Sequence, residues 1–139
     1  MALRWRFQDY ETKDGEVPIR DWYNGQTPQV RSAFDTTVRH LSVTEVWTVK
    51  DGAKTLTGPH AGLTELMIDV DEWAAKAAKG VKRRFRPIGL KSSDERAFLL
   101  FGACEKLGGV LNPLSTFDDA IRRWREWEHG MGRVHDHDV

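Results

Sequence analysis

The sequence predicts an α+β fold, a small sheet with two helices near the N-terminus and a third at the C-terminus. Three observations carry this. Leu3, Trp5 and Phe7 alternate with Arg4, Arg6 and Gln8, the period of a half-buried strand. Val30, Phe34, Val38 and Leu41 recur at helical spacing, as do Phe117, Ala120, Ile121, Trp124 and Trp127. Phe98, Leu99, Leu100 and Phe101 are consecutive, as in a strand buried on both faces.

In chain order, the alternation at Trp5 is strand one. Asp14-Gly15 marks a turn, and Pro18 suits the first position of a short helix whose stripe is Ile19, Trp22 and Tyr23, ended by Asn24-Gly25. Thr27-Pro28 supplies an N-cap and a first-turn proline for the second helix. Residues 42–61 read mostly as loop, because Asp51-Gly52 and Gly58-Pro59 interrupt any strand through Val46, Trp47 and Val49. Residues 63–70 form the second strand, with Thr64, Leu66, Ile68 and Val70 on one face and Glu65, Met67 and Asp69 on the other. Residues 81–90 and 96–104 give the third and fourth, antiparallel to each other across the turn at Ser92-Ser93-Asp94. Asn112-Pro113 then breaks the chain, and Thr116 with Asp119 makes a capping-box-like start for the last helix. Residues 131–139 have no period and are expected to be a flexible tail after a single domain over 1–130.

At 139 residues the chain suits one core. Apolar residues at 40% beside charged ones at 30% exclude a disordered chain. No run approaches the length of a membrane span and none resembles a signal peptide, so the chain is expected to work in the cytoplasm. Cys104 is the only cysteine, which excludes an internal disulfide and a zinc ribbon, and a thiol ending an apolar strand reads as packing. Phosphate-loop, nucleophile-elbow and zinc-protease motifs are absent, and no cofactor is expected. His135 and His137 in a tail are a poor metal site, and none is expected there.

The 21 basic and 21 acidic residues cancel, but not locally. From Lys76 to Lys91 stand Lys76, Lys79, Lys82, Arg83, Arg84, Arg86 and Lys91 without an acid. Such clustering is what phosphate contacts need. Lys82, Arg84 and Arg86 alternate, so they project from one face about 7 Å apart, while Arg83 and Phe85 point the other way. Guanidinium forks suit phosphate oxygens. Trp5, Trp22 and Trp124 read as core, whereas Trp47 and Trp73 sit in polar contexts where exposure could offer stacking surface for bases.

Several strings resemble one family. Lys54-x-Leu56-x-Gly58-Pro59, then residues 62–68 (Gly-Leu-Thr-Glu-Leu-Met-Ile), Arg84-Phe85-Arg86, and residues 98–106 (Phe-Leu-Leu-Phe-Gly-Ala-Cys-Glu-Lys) resemble the RelE/ParE toxin superfamily, especially its phage-associated Gp49-like and HigB-like branch. The resemblance covers about Trp5 to Trp127 in order of elements. It implies a small antiparallel sheet with two N-terminal helices packed on one face, and a cognate antitoxin that is a small DNA-binding protein. It also implies cleavage of mRNA in the ribosomal A site, where the RNA's 2′-hydroxyl attacks the adjacent phosphate and basic residues stabilise the added charge. By position, Arg86, Lys106 and Lys54 match basic residues of the family, and Glu65 a glutamate expected to pair with an arginine across the sheet.

The expected catalytic residues are therefore Arg84, Arg86, Lys106 and Glu105, with RNA contacts at Lys54, Lys79, Lys82 and Lys91. The chain departs from the active pattern in its tyrosines, in a loop over residues 71–80 longer than the family's usual tight hairpin, and in a net charge near zero, low for a ribosome-binding nuclease. Its tyrosines are Tyr10 and Tyr23, so nothing phenolic follows the fourth strand, and the general base is Glu105, a C-terminal histidine such as His129, or nothing. The alternatives are a non-enzymatic toxin that blocks DNA gyrase, as ParE-like members do, and a non-toxic phage interaction module.

Overall fold

The alternation at the N-terminus becomes strand β1 (Arg6–Glu11), whose Phe7 enters one core and Tyr10 another on the opposite face of the sheet. The computed structural model describes residues 4–72 and 81–137. Among these follow α1 (Pro18–Asn24), α2 (Pro28–Ser42), β2 (Ala53–Thr55), β3 (Thr64–Leu66), β4 (Ile68–Glu72), β5 (Val81–Ser92), β6 (Ala97–Leu107), β7 (Val110–Asn112), α3 (Thr116–Glu128) and β8 (Arg133–Asp136). The fold is α+β, with three helices and a mixed eight-strand open sheet of order β2-β3-β5-β6-β1-β8, β4 pairing with β5 and β7 with β6. No helix among the described residues is long and apolar enough to cross a membrane.

The sheet is mixed rather than antiparallel because β1 runs parallel to β6, with Phe7 opposite Phe98, while β5 and β6 are antiparallel. Side-chain period identifies a strand but carries no direction; the path of the chain through α1 and α2 decides it. Those helices cover one face, where Ile19, Val30, Phe34, Val38 and Leu41 meet Phe7, Phe85, Phe98 and Leu100. Helix α3 covers the other, where Ala120 and Trp124 meet Tyr10, Ile88, Leu99 and Phe101. Each face thus buries a separate apolar cluster, which sets the largest stabilising contribution of the fold.

The second strand of the sequence reading is two strands, β3 and β4, both pairing with β5, and the loop before it contains the short β2 and two 3-10 turns. Thr27 caps α2 as expected, accepting from the Val30 N–H at 3.4 Å. The N-cap of α3 is Ser115 instead of Thr116; the Ser115 hydroxyl donates to Asp119 at 3.0 Å, and Thr116 bonds the Pro113 carbonyl. Residues 131–139 were expected to fray. Instead Arg133–Asp136 pair antiparallel with β1, and Val134 packs into the α3-side core.

One irregularity matters for function. The β5–β6 register steps from Ile88 opposite Gly102 to Gly89 opposite Leu100, leaving Phe101 as the extra residue of a bulge. Strict alternation would place residues 102, 104 and 106 on the face of Phe98 and Leu100. The bulge reverses them, so Cys104 stands opposite Arg86 and Glu105 opposite Phe85. Gly89 is required beside it, since a Cβ there would collide with the Leu99 carbonyl and the Phe98 ring.

Candidate phosphate-binding cleft

Strand β5 carries the basic row on the face that α3 covers further along. Lys82 and Arg84 are exposed, and their register partners on β4 are Asp71 and Asp69. After the bulge, Lys106 of β6 points to this same face. Lys82, Arg84 and Lys106 line an open cleft of about 390 Å³ with Gly108 and Gly109. These two glycines hold positive φ at the β6–β7 hairpin tip with nothing within 4 Å of where a Cβ would stand, so bare backbone borders the cleft and a bulky anion can approach it.

Arg86 does not join them. It is 8% exposed, and its Nη1 donates to the Phe85 carbonyl at 2.9 Å and to Asp69 Oδ1 at 3.3 Å. The arginine's carboxylate partner is therefore Asp69 and not Glu65, which stands across from Lys54 and Ile88. Asp69 Oδ2 also lies 3.9 Å from Lys82 Nζ. Sequence reasoning missed Asp69, although the acidic Asp69 and Asp71 opposite a basic strand were a readable cross-strand signal.

Glu105 faces away from the cleft. Arg83 grips both its oxygens, Nε to Oε2 at 2.9 Å and Nη2 to Oε1 at 2.6 Å, with the guanidinium 4.9 Å above the Phe85 ring. A carboxylate held by a fixed cation on the other face has no path to a substrate bound beside Arg84. Cys104 lies behind the row, buried, its thiol 3.8 Å from the Arg86 carbonyl, and burial pushes its pKa up to about 11. It is inert at neutral pH.

The remaining expected contacts are elsewhere. Lys91 Nζ stands 4.4 Å from the rings of both Trp5 and Trp47, and burial and then Arg96 pull its pKa down from the usual lysine range. Trp47 is not a free stacking platform, because it packs against the core and donates its indole N–H to the Leu41 and Thr44 carbonyls. Lys54 is exposed on the edge strand β2. Lys79 and Trp73 lie outside the described residues.

His129 Nδ1 approaches the Arg125 carbonyl at 2.6 Å, at the end of α3, where it lines a different hollow of about 650 Å³ with Lys13, Glu16, Arg122 and Glu126. That hollow is larger than the basic cleft, but its charges alternate in sign and have no common ligand. His135 and His137 pair with Glu11 and Asp9, and no group of three metal-binding side chains is assembled among the described residues. The structure thus brings Lys82, Arg84 and Lys106 together and leaves Arg86, Glu105, Lys54 and Lys91 outside the cleft. Compared with protein-family models, with curated proteins and with solved structures, the chain finds no match.

Proposed function

We propose that the protein is the toxin of a type II toxin–antitoxin system, a ribosome-dependent mRNA endonuclease working in the cytoplasm and held in check by a small DNA-binding antitoxin. The observation that carries this reading is the cleft in which Lys82, Arg84 and Lys106 converge beside the bare Gly108-Gly109 backbone. Three cations without an acid among the cleft residues suit a backbone phosphate. The sequence strings that resemble the RelE/ParE superfamily give the substrate class. An RNA 2′-hydroxyl attacking the adjacent phosphorus forms a cyclic phosphate and expels the 5′-oxygen of the next nucleotide. Arg84 and Lys106 would stabilise the negative charge that builds on the phosphorane oxygens, where one positioned donor is worth on the order of a hundredfold in rate.

A second reading has its own support. Glu105 is locked by Arg83, Tyr10 donates to Glu126 and Tyr23 to Asp35, so among the described residues the cleft contains neither a carboxylate nor a phenol for proton transfer. This favours a toxin that blocks DNA gyrase by binding alone.

Induced expression separates the readings. Growth arrest relieved by the neighbouring reading frame, with mRNA fragments cut inside translated frames, is expected. Intact mRNA with early loss of DNA supercoiling selects the gyrase reading. Unimpaired growth at good soluble yield rejects both and leaves a phage interaction module.

A further inference from the structure

The β6–β7 connection is two residues long. Leu107 stands opposite Val110 as the last pair of the ladder, and Lys106 stands opposite Leu111. Gly108 at φ 56° and Gly109 at φ 83° fill the turn, the backbone pattern of a type I′ hairpin, which needs positive φ at both central positions. In such a turn the peptide joining the two central residues stands edge-on to the sheet. Between strands of L-residues its C=O leans to the face that carries the side chains of the closing pair, and its N–H to the opposite face. The closing side chains here are Leu107 and Val110, so the Gly109 N–H lies on the face of Lys106, which is the face of the basic cleft. It makes no hydrogen bond with a described residue. Both glycines line the cleft, and a glycine can line it only with backbone.

We infer that the Gly109 N–H is a fourth donor of the Lys82 cleft, one that holds a non-bridging oxygen of an RNA phosphodiester and so fixes how the phosphate is turned. The inference rests on the phosphate reading of that cleft. Lys82 and Lys106 are flexible point charges that attract a phosphate without orienting it, and Arg84 carries its fork on a long side chain. A backbone N–H in a tight turn is held by the hairpin itself and loses no side-chain freedom when it binds. Its hydrogen bond to an anionic oxygen is charge-assisted, hence short and directional. Nothing lies within 4 Å of where a Cβ would stand on either glycine, so a phosphate oxygen can reach the amide.

The test is a titration of the isotope-labelled full chain with a single-stranded oligouridylate, followed by amide-resolved NMR. The Gly109 amide proton should move downfield saturably, in step with the Arg84 side-chain N–H. Two variants at the tip then control the direction of the central peptide without changing any charge. Gly108→Asn keeps the type I′ pattern, for which Asn-Gly is a preferred pair, and should bind as the unmodified chain does. Gly109→Ser leaves Gly first and a residue that disfavours positive φ second, the pattern of a type II′ turn. That turn flips the central peptide and sets the Gly108 carbonyl toward the cleft, so affinity should fall about tenfold or more, as for loss of one hydrogen bond to a charged group. The amide spectrum of each variant reports whether the rest of the fold is kept. Gly109→Ser binding as tightly as the unmodified chain, equal losses in the two variants, or an oligouridylate that shifts the Arg84 signal and leaves the Gly109 amide in place would overturn the inference and leave the cleft standing. Absence of any response at Lys82, Arg84 and Lys106 would overturn the phosphate reading of the cleft together with it.

Discussion

Asp69 serves two cations at once, with Oδ1 3.3 Å from Arg86 Nη1 and Oδ2 3.9 Å from Lys82 Nζ. One cation is buried and the other stands in the basic cleft, so this carboxylate links the packing of the sheet to the charge of the site.

Asp69 variants should therefore change stability and affinity in opposite directions. Asp69→Ala leaves the Arg86 guanidinium with only the Phe85 carbonyl among the described residues and should cost on the order of 1–3 kcal/mol, because a buried cation loses its partner. It also removes a negative charge beside Lys82 and should tighten RNA binding. Arg86→Ala should destabilise by a similar amount, through packing as well as the lost pair. Urea unfolding and a filter-binding titration measure the two effects. A stable Arg86→Ala protein without growth inhibition would return Arg86 to the chemistry.

Stability should fall on the alkaline side for a reason that names two residues. Burial raises the Cys104 thiol from 9.0 to about 11, and burial with the Glu126 carboxylate raises the Tyr10 hydroxyl well above its usual 10.0. In both cases the folded state keeps a proton that the unfolded chain releases, so the folded state is favoured below the unfolded value and loses that advantage as pH rises through the folded one. Stability is expected to be level from the thiol's standpoint below pH 9, to decline between about 9 and 11, and to decline further above 10 through Tyr10. Cys104→Ala should flatten the first part and Tyr10→Phe the second, read from urea midpoints across pH 8 to 11. Unchanged slopes in both variants would assign the alkaline loss to other groups.

Strands and helices with a strong period were legible in the sequence: α2 and α3 by their apolar stripes, β6 by its apolar run between turn residues, and β5 as the strand that carries the alternating basic row. The row of Lys82, Arg84 and Arg86 was legible as a row. Its division into an exposed pair and a buried third was not, because burial of Arg86 depends on the β4 register that sets Asp69 beside it. Lys106 joined the cleft through the bulge at Phe101, and a bulge in an uninterrupted apolar run has no sequence signal beyond the Gly89 opposite. Lys91 belongs by composition to the basic stretch, yet its strand position turns it onto Trp5 and Trp47. Strand β8 was invisible for another reason. Its four residues include one apolar side chain, and partners on β1 more than a hundred positions away hold it.

Those partners yield a prediction for the C-terminal strand. His137 Nδ1 donates to Asp9 Oδ1 at 2.8 Å, both side chains being less than a tenth exposed, and Arg20 stands 3.7 Å from the other Asp9 oxygen. His137→Ala leaves a buried carboxylate with one distant cation and should cost about 1–3 kcal/mol. His135 makes a similar 2.9 Å contact with Glu11 but is well solvated, so His135→Ala should cost less than about 1 kcal/mol. Equal losses in the two variants would show that burial of Asp9 is not what holds β8.

The cleft itself is tested most directly by salt. A single-stranded RNA that neutralises its charge at Lys82, Arg84 and Lys106 releases counterions, and the slope of log affinity against log salt should drop by roughly 0.7 for each cation removed. Lys82→Ala, Arg84→Ala and Lys106→Ala should each lower both slope and affinity, and growth inhibition should fall in the same order. Arg84→Lys should recover the slope but only part of the affinity, because the charge returns without the fork. Lys54→Ala and Lys91→Ala act as internal controls, one on the far edge strand and the other over two indole rings, and should leave the slope unchanged. If the controls lower it as much as Arg84→Ala does, RNA reads a diffuse positive surface and the cleft has no special role. If only the three cleft variants do, the phosphate is held where β5 and the bulged β6 meet, and any chemistry must be sought beside Arg84 and Lys106.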